Sequence, residues 1–177
     1  MTSLPLHPAV VHLPLGLAFV LPFLAAGFAW ALWTGRISTR AWITIVALQA
    51  VLLGAGLVAM NTGEREEDRV ESLVPHAAME QHEALAEQFI WATGTTLLLA
   101  AMVLGSARRR PAARFLASAT VIGTLVVGAS AVRLGHAGGE LVYRYNAGAA
   151  YGPAAKTVAA PALTSPAAAD KDDDHRP

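Results

Sequence analysis

Long apolar runs dominate this chain, and short polar stretches separate them. Four runs are long enough to cross a bilayer, whose hydrocarbon core is matched by about 20 helical residues. The first extends from about Pro8 to Trp33 and carries no charge; the second, from about Ala41 to Met60, is also uncharged. The third extends from about Ala84 to Gly105, with Glu87 and Gln88 in its first turn. The fourth extends from about Ala112 to Gly135, with Arg114 near its start and Arg133 near its end. Backbone groups in lipid must pair within their own segment, so each run reads as a helix. The pattern predicts an all-α fold, an integral membrane four-helix bundle within residues 1–145. Pro14 falls near the first turn of the first span, where a missing N–H costs little, and Pro22 is expected to kink that span. No Lys or Arg precedes the first run, which is too long for a signal h-region, so it reads as retained.

The polar stretches predict less regular structure. Glu64 to Glu71 is charged and helix-favouring, and Pro75 breaks it. A second short helix is expected to start near Pro75 and run into the third span, giving a short helical acidic loop between spans two and three. The run Gly135-His136-Ala137-Gly138-Gly139-Glu140 reads as a helix C-cap and tight turn. Residues 146–177 are Ala/Pro-rich and are expected to form an extended tail.

Composition agrees with a membrane protein. Hydrophobic residues make up 54% of the chain and charged residues 15%, against about 25% charged in an ordinary soluble domain. The mean hydropathy of +0.44 argues against both a soluble globule and disorder. The chain has no cysteine, which excludes disulfides, thiolate metal sites, cysteine-held iron–sulfur clusters and covalently attached c-type haem. A net charge of zero leaves no basic footprint for nucleic acid.

That zero is a cancellation. The first short loop carries Arg36 and Arg40, and the third carries Arg108, Arg109, Arg110 and Arg114. The middle stretch, Asn61 to Gln88, holds eight acids against Arg65 and Arg69. The positive-inside rule puts the two arginine loops in the cytoplasm. Both termini and the acidic loop are then expected on the outer, periplasmic side of a bacterial inner membrane that the chain crosses several times.

The histidines follow the same division. His7 and His12 open the first span, His76 and His82 precede the third, and His136 closes the fourth, while His175 lies in the tail. A bundle gathers the first five at one end. Imidazole is the commonest protein ligand for transition metals. Without cysteine, a b-type haem is a reasonable cofactor, with His12, His82 and His136 as candidate iron ligands and His7 and His76 in the same group. Phe89, Trp91 and the glycines at 16, 94, 128, 135, 138 and 139 would surround it, and Arg133 and Arg144 would pair with propionates. A competing mixed site uses His76, His82, Glu67, Glu71 and Glu83 for zinc, copper or iron. Glu67 and Glu71 share a helix face, which reads more simply as a solvated acidic helix. Histidine is also at home at a membrane interface with no ligand at all.

Few polar groups lie within the spans. Gln49 and the Thr93, Thr95 and Thr96 cluster can bond across helices as packing glue. Ala119/Gly123 and Thr124/Gly128 give the fourth span a small-residue face for close contact within the bundle or with a partner subunit. No mid-span carboxylate marks an ion path, and neither a G-x-S-x-G nor a phosphate-loop motif is present.

Two segments carry a resemblance. His7-Pro8-Ala9-Val10-Val11-His12-Leu13-Pro14 and Gly135-His136-Ala137-Gly138-Gly139-Glu140-Leu141-Val142-Tyr143, with Thr62-Gly63-Glu64 and His82-Glu83 between them, resemble the bacterial domain of unknown function 2231 family. The resemblance spans about residues 5 to 145 and implies four membrane helices. It implies no defined activity; association of some relatives with cytochrome or Rieske-type modules implies a redox setting. His7 and His12 fall on the opening motif, His136 on the closing one, and His82 on a less defined position.

Three functions are therefore in view. The first is a membrane electron-transfer subunit holding haem b, with other membrane or periplasmic redox subunits as partners and no catalytic activity of its own. The second is a cofactor-free structural or assembly subunit of an oligomer or larger complex. The third is a divalent-metal binding membrane protein.

Overall fold

The structure is a computed structural model and describes residues 6–152. The tail beyond Gly152, with His175, lies outside the described residues. Helices α1 (His7–Val10) and α2 (His12–Trp33) follow one another across Val11, whose φ of −62° and ψ of −20° remain helical. Pro14, three residues on, has no N–H for the Val10 carbonyl. Helix assignment continues through the buried Pro22. A 3₁₀ turn at Thr39–Trp42 leads into α3 (Ile43–Val70), followed by α4 (His76–Gly105) and α5 (Arg110–Tyr143). Asn146, at φ 58°, turns the chain into a last 3₁₀ segment, Ala147–Tyr151, so the stretch expected to be extended begins with a compact turn. Among the described residues there is no strand, and four helices are long and apolar enough to cross a membrane.

Two expectations are corrected. The acidic stretch is not a separate helix, because α3 continues unbroken from the span to Val70 and only a tight turn separates it from α4. The glycine run does not end the fourth span either, because α5 continues through Gly135, Gly138 and Gly139 to Tyr143. Hydropathy marks where lipid ends, and the helices outlast it. At 1.5 Å per residue α3 is about 42 Å long and α5 about 51 Å, against a hydrocarbon core of roughly 30 Å.

Each helix packs mainly against two neighbours, in the ring order α2, α3, α4, α5, and the α4–α5 contact is the most extensive. The buried positions explain why. On α3 they are Ile45, Gln49, Leu52, Gly56 and Ala59; on α5 they include Ala113, Ala117, Thr120, Thr124, Val127 and Ala131. On α4, Phe89, Thr93, Thr96, Ala100 and Val103 follow the same alternation of four and three. That is the 3.5-residue repeat of left-handed bundles crossing at roughly +20°. Large side chains face outward: Phe23 is 79% exposed, Trp91 76% and Phe115 73%, as lipid-facing positions require.

Small residues set the helix separations. A Cβ on Gly123 would lie 2.7 Å from Thr96 Oγ1, and one on Gly128 would lie 3.4 Å from the Ala18 carbonyl oxygen. The small-residue face of α5 is thus used inside the bundle at both glycines, against α4 and α2. Most of the buried polar groups turn back on their own helices. Thr93, Thr96 and Thr120 donate to the carbonyls of Phe89, Ala92 and Leu116 at 2.7 to 2.8 Å. Only Gln49 reaches across, donating from Nε2 to the Thr93 carbonyl at 3.3 Å, while Thr95 is exposed.

The Gly123–Thr96 contact yields a prediction. Gly123→Ala overpacks the α4–α5 seam and lowers stability by about 1–3 kcal/mol. Thermal unfolding in mild detergent reads the loss, and Thr96→Ala in the same chain recovers part of it by removing the atoms struck.

Candidate functional site

Helix geometry sorts the five histidines before any ligand is considered. Successive residues advance about 100°, so positions five apart diverge by about 140° and positions six apart by about 120°. His7 and His12 therefore cannot both face the interior, nor can His76 and His82. His7 and His82 are the half-buried members, and His12, His76 and His136 are exposed. On α5, His136 stands nearly opposite Gly138, and Gly138 is the residue that meets α4.

Each inward ring lies against a glycine of a neighbouring helix. A Cβ on Gly63 of α3 would lie 3.2 Å from His7 Cε1, and a Cβ on Gly138 of α5 would lie 3.2 Å from His82 Cε1. Gly138 is therefore a seat for a ring within α5 rather than a helix stop. The His7 ring is further fixed by α3. Its Nδ1 lies 2.8 Å from the Ala59 carbonyl oxygen, and the Thr62 hydroxyl donates to the same carbonyl at 2.9 Å. A carbonyl only accepts, so Nδ1 carries a proton, and in the neutral ring Nε2 is the nitrogen with the free lone pair. His82, on α4, stands at the same end of the bundle with its ring against Gly138 of α5. Its Nδ1 is buried with no hydrogen-bond partner.

The other sequence candidates lie apart from this pair. His76 Nδ1 is 3.3 Å from Glu80 on the exposed side of α4. His136 Nε2 is 3.9 Å from Glu140, which also lies 3.8 Å from Arg144. These α5 residues line a shallow furrow of about 460 Å³ with Gly135, Gly139 and Tyr143, all on one helix and its cap. Arg133 is exposed. Phe89 is in the core, whereas Trp91 faces outward. The structure does not bring His12, His82 and His136 together. Among the described residues no group of three or more His, Asp or Glu is arranged to hold a metal. Of the mixed set, Glu83 and Glu71 are exposed and Glu67 is half-buried; the Glu83 carboxyl is held above its ordinary range first by partial burial and then by the charge of Glu67.

Sequence reasoning missed Ala59, Thr62, Gly63 and Gly138 as the setting of the two rings. The Thr62-Gly63 pair inside a charged helical run was the available signal. It also missed Tyr151, whose hydroxyl donates to Glu66 Oε2 and ties the end of the described chain to α3. Beneath it, Ala147 packs with Val74 and Met79 over the α3–α4 turn.

A family model described as "Predicted membrane protein (DUF2231)" matches residues 3–151. No curated protein matches the chain. No solved structure matches it either.

Burial, then the hydrogen bond and charge of Glu66, push the Tyr151 hydroxyl up from 10.0 to about 12. The folded state favours the protonated phenol, so this tie is complete below pH 10.0 and is lost as pH rises through about 12. In a chain carrying Tyr143→Phe and Tyr145→Phe, ultraviolet titration finds the remaining phenol ionising near the higher value. Glu66→Gln brings it back toward 10.0.

Proposed function

This chain belongs to the predicted membrane protein family DUF2231, and we propose that it is a membrane electron-transfer subunit whose redox group is held by His7 and His82. One observation carries this reading. The His7 Nδ1–H is committed to the Ala59 carbonyl, which in the neutral ring leaves Nε2 as a donor atom, and His82 at the same end of the bundle offers a buried, unpartnered nitrogen. Metal-bound histidines are characteristically oriented in this way, with the other ring nitrogen donating to a carbonyl or carboxylate. Imidazole is a ligand for haem iron and for first-row transition ions alike, so haem b is the first group to test and a single metal ion the second. His12 and His136 move from ligands to surface residues in this reading. Arg133 and Arg144 become surface cations at the same end.

A divalent-metal binding role is the second reading. It is favoured by Glu67 and Glu83, whose charges act on each other between α3 and α4, the helices of Gly63 and His82. Oxygen donors from these carboxylates suit zinc or iron with imidazole.

The absorption spectrum and metal content of protein purified from native membranes test both readings. A Soret band lost in His7→Ala and His82→Ala, and kept in His12→Ala and His136→Ala, is the expected result. Stoichiometric metal without a Soret band, lost in the same two variants and in Glu83→Gln, transfers the case to the second reading. Neither signal in the wild-type protein overturns both.

The charge division further supports a bacterial inner-membrane location with the histidine end on the periplasmic side. The chain has no cysteine, so single substitutions report topology directly. With a membrane-impermeant maleimide, Ser72→Cys is labelled in intact spheroplasts and Ser38→Cys only after lysis. The reverse pattern inverts the orientation.

A further inference from the structure

At the end of the bundle opposite the histidines, we propose that a groove between the start of α3 and the end of α4 binds the phosphate of an anionic phospholipid, with Arg40 as its chief contact. The groove is open to its surroundings, has a volume of about 470 Å³ and is lined by Thr39, Arg40, Ile43, Leu104 and Ala107. One guanidinium, one hydroxyl and three apolar side chains make an amphiphilic lining, suited to a charged head attached to an acyl chain.

Charge supplies the second observation. Six arginines collect at this end: Arg36, Arg40, Arg108, Arg109, Arg110 and Arg114. Every Asp or Glu among the described residues lies between Glu64 and Glu87 or at Glu140. The ion pairs of the described residues likewise involve only Arg69, His76, His136 and Arg144. Arg36 stacks 4.1 Å over the Trp30 ring, and Arg114 donates to the Trp33 carbonyl at 2.9 Å. The side chains of Arg40, Arg108, Arg109 and Arg110 have no hydrogen-bond or ion-pair partner among the described residues. Two helices begin and two end on this side, so their dipoles oppose one another and the guanidiniums set the sign of the field.

Depth supplies the third. Trp30 and Trp33 are exposed, as interfacial anchors are, and Arg40 follows shortly after them in the chain. Arg40 therefore sits at headgroup level, while the exposed Ile43 in the same lining begins the apolar surface where an acyl chain would lie. The apolar lining selects a lipid over soluble phosphate. The lack of a nearby carboxylate selects an anionic head over a zwitterionic one, whose ammonium would find no partner here. Basic pockets between membrane helices recognise anionic heads on this principle.

Native mass spectrometry of the full-length protein in mild detergent tests the assignment by titrating phosphatidylglycerol, phosphatidylcholine and inorganic phosphate separately. Phosphatidylglycerol should be retained over phosphatidylcholine, and Arg40→Gln should weaken its retention about fivefold or more, the effect of one interfacial arginine. Arg133→Gln, at the other end, should leave it unchanged. Equal retention of the two lipids overturns the proposal, as does an unaltered Arg40→Gln. Equivalent binding of inorganic phosphate and phosphatidylglycerol assigns a bare anion site and overturns the lipid.

Discussion

In a bilayer, one leucine gains nothing by hiding behind another, because lipid tails are as apolar as side chains. Helices associate there through close van der Waals contact, and close contact needs small residues where the axes come nearest. Gly123 against Thr96, Gly128 against the Ala18 carbonyl and Gly56 against Phe89 and Ile90 are where this bundle meets that need. The buried alanines at 113, 117 and 131 extend the same seam along α5. The 3.5-residue spacing keeps the seam facing inward over the full length of the spans, so helix order and ring contacts follow from it.

The histidine end uses the same device for a different purpose. Gly63 and Gly138 each leave room for an imidazole where a methyl group would crowd the ring. Their positions on α3 and α5 lie beyond the apolar runs, in the parts of those helices that outlast the hydrocarbon. Had α3 stopped at Met60, Gly63 would not be fixed relative to His7, and had α5 stopped at Gly135 there would be no Gly138 seat for His82. Helix extension past the lipid is thus what seats the two rings.

The four spans were legible in the sequence because a run of about 20 apolar residues has few alternatives to a membrane helix. Helix ends were not, since Glu64 to Glu71 reads as helix-favouring but nothing in it shows whether it continues the span or forms a separate turn of helix. The glycine run around Gly138 was misread as a stop because glycine serves both as a helix terminator and as a contact residue, and only the neighbour decides between them. Clustering of five histidines at one end was legible, but the 100° step that keeps them from all facing inward applies only where His7 and His12, and His76 and His82, share continuous helical turns, which the structure supplies. Which member of each pair turns inward depended on Ala59, Gly63 and Gly138, residues of other helices.

The unbroken path of α3 from Ile43 to Val70 has a mechanical side. A helix without a joint moves as a rod. A load applied beside Glu66, where Tyr151 is tied on, cannot be absorbed by a loop at the membrane surface. Glu66 and the span are parts of one continuous helix, so α3 joins the two ends of the bundle without a hinge.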